Sequence, residues 1–492
     1  MALRRLGALA LLCGLSTPVY FAKGPEPPQK ISLEPMGYPG QGSGSMAAGG
    51  SMSTVTFLDD RHLLVTFAVH RLMQRLPDRR PNDQDRTIEA VVLDVPTGEL
   101  LAKTEWRVRD PFQYLWNLGH GRLLLRIRDT MTTIAPVANL HGDSFAQQPL
   151  LRTARRIVAV LLSPDKDLMT VETMDPLPAD AAELDAVYGT QRTQFNFFRL
   201  GEPGSAAEPP LLQPAGGAIS DAPVNLSLTS AGYIEVLQES ESRWLFDFDP
   251  YQGKYLELSP FETSCRPFPV FVSASEFIAL GCRGGDDRLR IGGFDLGGSQ
   301  MWQAELNGSY VSPSFAVAPA AGRFAMSRNI LAGGSGMTVN FAPSNFVTEE
   351  VRVYQTYNGQ QILQAEAAPV QRFEGNFDLA PDGMRLAVLR GGELDVYPLP
   401  PLTDADKIAV QKAHGLEPKA PVVAVNLSPH SKPGTEAVHA TQSQMAPQVP
   451  APPQAPPQPV GEPLSDQAPR RKPTLYTLPG EQPETEQANP KD

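Results

Sequence analysis

The sequence predicts an all-β fold: a single β-propeller of about seven four-stranded blades, after a signal peptide and before a disordered Pro-rich tail. Three observations predict it. One unit recurs: a short apolar strand, a sharp turn, an alternating strand, a connection, a third strand, a second turn and often a fourth strand. The units follow one another at roughly 40 to 65 residues, the spacing of propeller blades with some enlarged loops. No segment outside the leader and the tail holds a sustained helical period.

The clearest unit is the last, Asn376 to Pro400. Ala380-Pro381-Asp382-Gly383 is turn chemistry, because Pro presets φ and Gly accepts positive φ. Leu386 and Val388, then Leu394 and Val396, alternate at period two, as a strand with one buried face requires.

Residues 1–22 open with Arg4-Arg5 and an apolar run from Leu6 to Leu15. That run is too short to span a bilayer and reads as a secretory signal peptide. Residues 23–50 are rich in Pro, Gly and Ser and read as a flexible lead-in. The propeller is expected over residues 51–400, with first hairpins at Val55–Val69, Trp116–Arg128, Val158–Thr173, Asn225–Ser240, Val270–Cys282, Ser314–Asn329 and the closing unit. Two connections are enlarged, the Arg-rich stretch from His70 to Arg86 and the acidic stretch from Met174 to Arg192. Loops on one rim of such a ring are natural binding elements. Residues 401–427 read as an extension, with a helix over Asp404–His414 and a β-like run, Pro421–Leu427, placed to help close the ring. Residues 428–492 cannot bury enough apolar surface to offset their ordering entropy and are expected to be disordered.

SPDKDLMTVET from Ser163 and APDGMRLAVLR from Ala380 carry a resemblance. They resemble the SPDG-strand signature of the TolB-like and WD40-like secreted propellers, and the likeness spans about residues 51–400. It implies the scaffold and leaves the function open, since this fold hosts many activities. The small α/β domain that precedes the propeller in TolB has no room in this chain.

Charge and motif content bound the function. The net charge of −12 argues against a general nucleic-acid-binding face, which needs clustered Lys and Arg. Of three cysteines, Cys13 lies in the leader. Cys265 and Cys282 flank a hairpin turning near Ala274, which sets them opposite each other and predicts a disulfide. Gly333-Gly334-Ser335-Gly336 is not a nucleophile elbow. The seven histidines lack metal spacing; His62 and His120 share turn positions in successive units, as a channel site would need. Asn82, Asp83 and Asp85 offer oxygen ligands without the Gly and Glu of an EF-hand. Trp106, Trp116, Trp244 and Trp302 fall at strand ends, where blade packing explains them. No catalytic residue, metal ligand or cofactor fingerprint is therefore assigned. The expectation is a secreted or periplasmic, monomeric, non-enzymatic propeller that binds a protein or another macromolecule. The alternative is a lyase or glycan-active hydrolase with a channel site built from carboxylates of several blades.

Overall fold

The computed structural model describes residues 26–39, 52–69, 86–108, 113–119, 121–127, 130–134, 145–175, 193–201, 212–220, 226–283, 289–306, 313–331, 346–370 and 375–419. The leader, residues 70–85 and 176–192 of the enlarged connections, and the chain beyond Lys419 lie outside them.

The described strands form seven antiparallel sheets. The first strand among the described residues is β1 (Gln29–Ser32), which joins the last sheet. The first blade is β2 (Thr54–Phe57), β3 (His62–Val69), β4 (Arg86–Asp94) and β5 (Glu99–Val108). The second is β6 (Leu115–Gly119), β7 (Arg122–Ile127), β8 (Thr130–Ile134) and β9 (Gln147–Arg152). The third is β10 (Arg156–Leu162), β11 (Leu168–Met174), β12 (Thr193–Leu200) and β13 (Leu212–Ser220). The fourth is β14 (Ser227–Leu228), β15 (Gly232–Ser240), β16 (Arg243–Pro250) and β17 (Leu256–Glu257), with β18 (Phe261–Glu262) also on β16. The fifth is β19 (Phe268–Phe271), β20 (Glu276–Cys282), β21 (Leu289–Asp295) and β22 (Gln300–Leu306). The sixth is β23 (Phe315–Ala318), β24 (Arg323–Leu331), β25 (Phe346–Gln355) and β26 (Gln361–Ala367). The seventh is β27 (Phe377–Leu379), β28 (Arg385–Arg390) and β29 (Glu393–Pro398), completed by β1 on its outer edge.

Apolar packing makes these sheets a ring. Each sheet buries both faces against its neighbours, and the last core joins the seventh blade to the first: Leu389, Leu394 and Val396 pack with Phe57, Leu63, Val65 and Val91. Between the fourth and fifth blades the core is aromatic, with Phe246 in edge contact with Phe277 and Phe294. Each such side chain contributes about 1.5–3 kcal/mol on leaving water. This is the seven-bladed propeller that the recurring units predict.

The closure corrects the sequence reading at one place. Part of the expected lead-in, residues 23–50, is a blade strand: Gln29, Lys30, Ile31 and Ser32 pair with Val396, Asp395, Leu394 and Glu393. Gln29 Nε2 also donates to Val95 O (2.8 Å) and Lys103 Nζ to Met36 O (2.7 Å), so this segment is bonded to the first blade too. The physical reason is that β1 needs only one apolar contact, Ile31, because its partner strand is already built. Pro421–Leu427, the expected closing strand, lies outside the described residues, and β1 holds the outer place in the seventh sheet.

The two SPDG-like turns, Ser163–Lys166 and Ala380–Gly383, differ at two residues and share one geometry. Gly383 adopts φ +66°, and Lys166, at the matching position, adopts φ +63°. Their amides close equivalent turns on Ala380 O (2.7 Å) and Ser163 O (2.9 Å).

Candidate functional site

Polar side chains of the first strands and their turns join one blade to the next. Asp378 Oδ2 accepts from Phe57 N (2.7 Å), and Asn117 Nδ2 donates to Phe57 O (2.8 Å). Ser230 Oγ donates to Asp165 Oδ2 (2.6 Å), Asp382 N to Asp60 Oδ1 (2.9 Å), and Phe271 N to Ser227 Oγ (3.1 Å). These carboxylates and hydroxyls hold the ring.

One set of carboxylates is arranged differently, beneath helix α1 (Asp404–Gly415). The helix starts where its sequence says it should. Thr403 accepts from Asp406 N, and Asp406 accepts from Thr403 N, a reciprocal capping box. The buried Arg323 fixes the approach: it donates to Gly383 O and Pro400 O, both at 2.7 Å. Val410 then lies over Gly322, where an added Cβ would come within 2.9 Å of it. At the far end Ser275 Oγ donates to Ala413 O (2.6 Å). α1 buries only Asp406 and Ala413, and Ile408 is exposed. Polar bonds therefore do much of the work of holding it down.

A cavity of about 270 Å³ lies between α1 and the fifth and sixth blades. It is lined by Glu276, Asp295, Met301, Tyr357, Lys412 and Leu416, among others. Glu276 opens β20, Asp295 ends β21, and the two stand directly opposite in register, so their side chains share one face. Both are nearly fully buried. Asp295 Oδ1 accepts from Ser299 N (3.0 Å), and its Oδ2 lies 3.7 Å from Lys412 Nζ. Glu276 accepts one long bond, from Ser273 Oγ at 3.3 Å. The Glu276 carboxyl is pushed up to about 7, chiefly by burial and in part by Asp295, against the opposing effects of Ser273 and Lys412. A carboxyl that exchanges its proton near neutrality, beside a second carboxylate, can hold a cation or pass a proton.

The residues singled out in the sequence are placed as follows. Cys265 and Cys282 are disulfide-bonded, with Cα atoms 5.3 Å apart, and clamp the first hairpin of the fifth blade. His62 Nδ1 sits 2.8 Å from Asp59 Oδ2 at a hairpin turn. His120, Asn82, Asp83, Asp85 and Gly333–Gly336 lie outside the described residues. Trp244 and Trp302 donate to Thr263 O (3.1 Å) and Thr356 O (2.6 Å), and Trp106 packs edge-on against Phe145. No cluster of three or more metal-ligating acids, His or Cys occurs among the described residues. Glu276, Asp295 and Lys412 went unnoticed in the sequence. The two acids are ordinary strand-end residues, and nothing local announces that a helix more than a hundred positions later will cover them.

The fold and this groove define the chain as a seven-bladed β-propeller with a helix strapped across two blades. No family model matches it, and no curated protein is similar to it in sequence. Solved structures similar to it include three described by their activity or family. An oligogalacturonate lyase in complex with manganese covers 78% of this chain and 98% of its own, at 10% identity and a TM-score of 0.39. Pyrococcus horikoshii acylaminoacyl peptidase covers 73% and 54%, at 10% identity and 0.41. A putative TolB from Agrobacterium tumefaciens covers 65% and 99%, at 13% identity and 0.32. At these identities and scores no activity, ligand or partner follows from the likeness.

Proposed function

We propose that the chain is an exported, monomeric, non-enzymatic propeller that binds a protein or another extracytoplasmic macromolecule. The observation that carries this is the use of polar side chains on the first strands and their turns: Asp378, Asp165, Asp60, Asn117 and Ser227 are bonded to neighbouring blades. Such turns give a stiff platform. The Cys265–Cys282 disulfide suits an oxidising compartment, in keeping with the leader. Among the described residues no helix is long and apolar enough to cross a membrane.

The Glu276–Asp295 pair supports a second reading, an enzyme that uses two carboxylates. Its site would lie in the groove beneath α1, with both carboxylates from the fifth blade instead of from several.

In vivo photo-crosslinking from position Ile408, in the full chain and in one ending at Leu427, separates the readings. A defined macromolecule crosslinked by both forms supports binding by the ring, and one lost on truncation moves binding to the tail. Turnover of polyuronate or another glycan that Glu276→Gln abolishes would establish the enzyme instead.

A further inference from the structure

We propose that the groove beneath α1 is a binding site for a cationic side chain, a lysine ammonium or an arginine guanidinium, which Lys412 fills from within the chain.

Four observations carry it. The groove is a cavity of about 270 Å³, large enough for the end of one long side chain. Its floor holds two buried carboxyls, Glu276 and Asp295, side by side in register. Glu276 is about nineteen parts in twenty buried, yet among the described residues its side chain accepts only the long bond from Ser273. A buried acid so poorly satisfied marks a place where a donor belongs. A cation already stands at the mouth: Lys412 Nζ lies 3.7 Å from Asp295 Oδ2.

Lys412 is a weak occupant. Its side chain is 70% exposed, and an ion pair so open to water is loosely held. The C-terminal end of α1 lines the same groove through Ala413 and Leu416, and a helix C-terminus favours a cation nearby. The other lining groups suit an aliphatic stem: Met301, Leu416 and the Tyr357 ring. An incoming ammonium or guanidinium would displace Lys412 and take both carboxylates, with α1 as its outer wall.

The charged groups facing Glu276 give the site a pH signature. Asp295 comes from β21 and Lys412 from α1, with Tyr357 from the turn after β25; His414 points away and pairs with Glu417. Glu276 holds its proton up to about pH 7. A cation binds the ionised form better, so affinity rises as pH climbs through neutrality.

The partner that would bring such a side chain is the one the binding reading supplies. The test needs only a small amine, so its failure would leave partner binding untouched. Nα-acetyl-lysine methylamide is titrated into the full chain, with the neutral norleucine analogue as control. Lys412→Ala is expected to bind the lysine probe about fivefold more tightly than the native chain, the worth of one exposed ion pair. Adding Asp295→Asn abolishes binding. Adding Glu276→Gln leaves binding but flattens the rise between pH 6 and pH 8. In the native chain, saturating probe speeds amide exchange over residues 404–415. The proposal is overturned if folded Lys412→Ala shows no saturable binding, or if norleucine binds equally well. Should Lys412→Ala fail to fold, the native chain decides: unchanged exchange over α1 at saturating probe rejects the site.

Discussion

Arg323 donates to Pro400 O at 2.7 Å, so a side chain of the sixth blade holds the exit of the seventh. The same guanidinium reaches Gly383 O in the seventh blade's first turn, and Gln355 Oε1 (3.2 Å) in its own blade. Arg323 is among the largest fully buried side chains of the chain. Arg323→Met removes the donor to the buried Gly383 carbonyl and to the part-buried Pro400 carbonyl and should cost about 2–3 kcal/mol, read from the urea midpoint. Amide exchange over α1 should accelerate more than exchange in the first blade, because Pro400 lies just before the helix cap.

Lys166 sits in a left-handed conformation that costs a side-chain-bearing residue about 1–2 kcal/mol. Lys166→Gly relieves it and gives back part of the gain as chain entropy. A net stabilisation of about 0.5–1 kcal/mol is expected in thermal unfolding. A loss would mean that the Lys166 stem, which lies against Gly119, contributes more than the strain removes.

Glu172 lies buried on β11, and burial alone lifts its carboxyl from 4.5 to about 8. The folded chain therefore holds this proton where the unfolded chain has lost it. Stability is full below pH 4.5, falls as pH rises to about 8, and levels beyond. The drop is at most on the order of 5 kcal/mol. Glu172→Gln should flatten that slope in unfolding measured from pH 5 to pH 9.

The Cys265–Cys282 bond closes a loop with a sequence separation of 17. The double substitution Cys265→Ser, Cys282→Ser should cost about 3 kcal/mol by loop entropy, with the ring still formed. Calorimetry checks the magnitude, and unchanged far-UV dichroism checks the fold.

Much of the ring was legible because each hairpin is local. Leu386 and Val388 alternate around a Pro-Asp-Gly turn, and each pair needs only its neighbours to be read. The disulfide was legible for the same reason, since the hairpin between the cysteines sets their separation. α1 was legible as a helix over Asp404–His414, and the structure adds its Thr403–Asp406 capping box. β1 was not: QKIS carries one apolar residue, and its partner Leu394 lies 363 positions away. Pro421–Leu427 has the stronger strand pattern, and pattern alone cannot tell which segment a sheet edge will take. The groove failed to appear for a related reason. Glu276, Asp295 and Lys412 meet through tertiary docking, and no spacing rule connects them.

Closure of the ring by its own first strand is tested most directly by trapping it. Lys30 and Asp395 are opposed in register, at a separation suited to a disulfide between strands. Lys30→Cys with Asp395→Cys, oxidised mildly in the native buffer, should crosslink nearly completely and raise the unfolding temperature. If both new thiols instead stay open to alkylation at the rate of an unfolded peptide, β1 does not close the seventh blade, and the architecture drawn here is wrong at its seam.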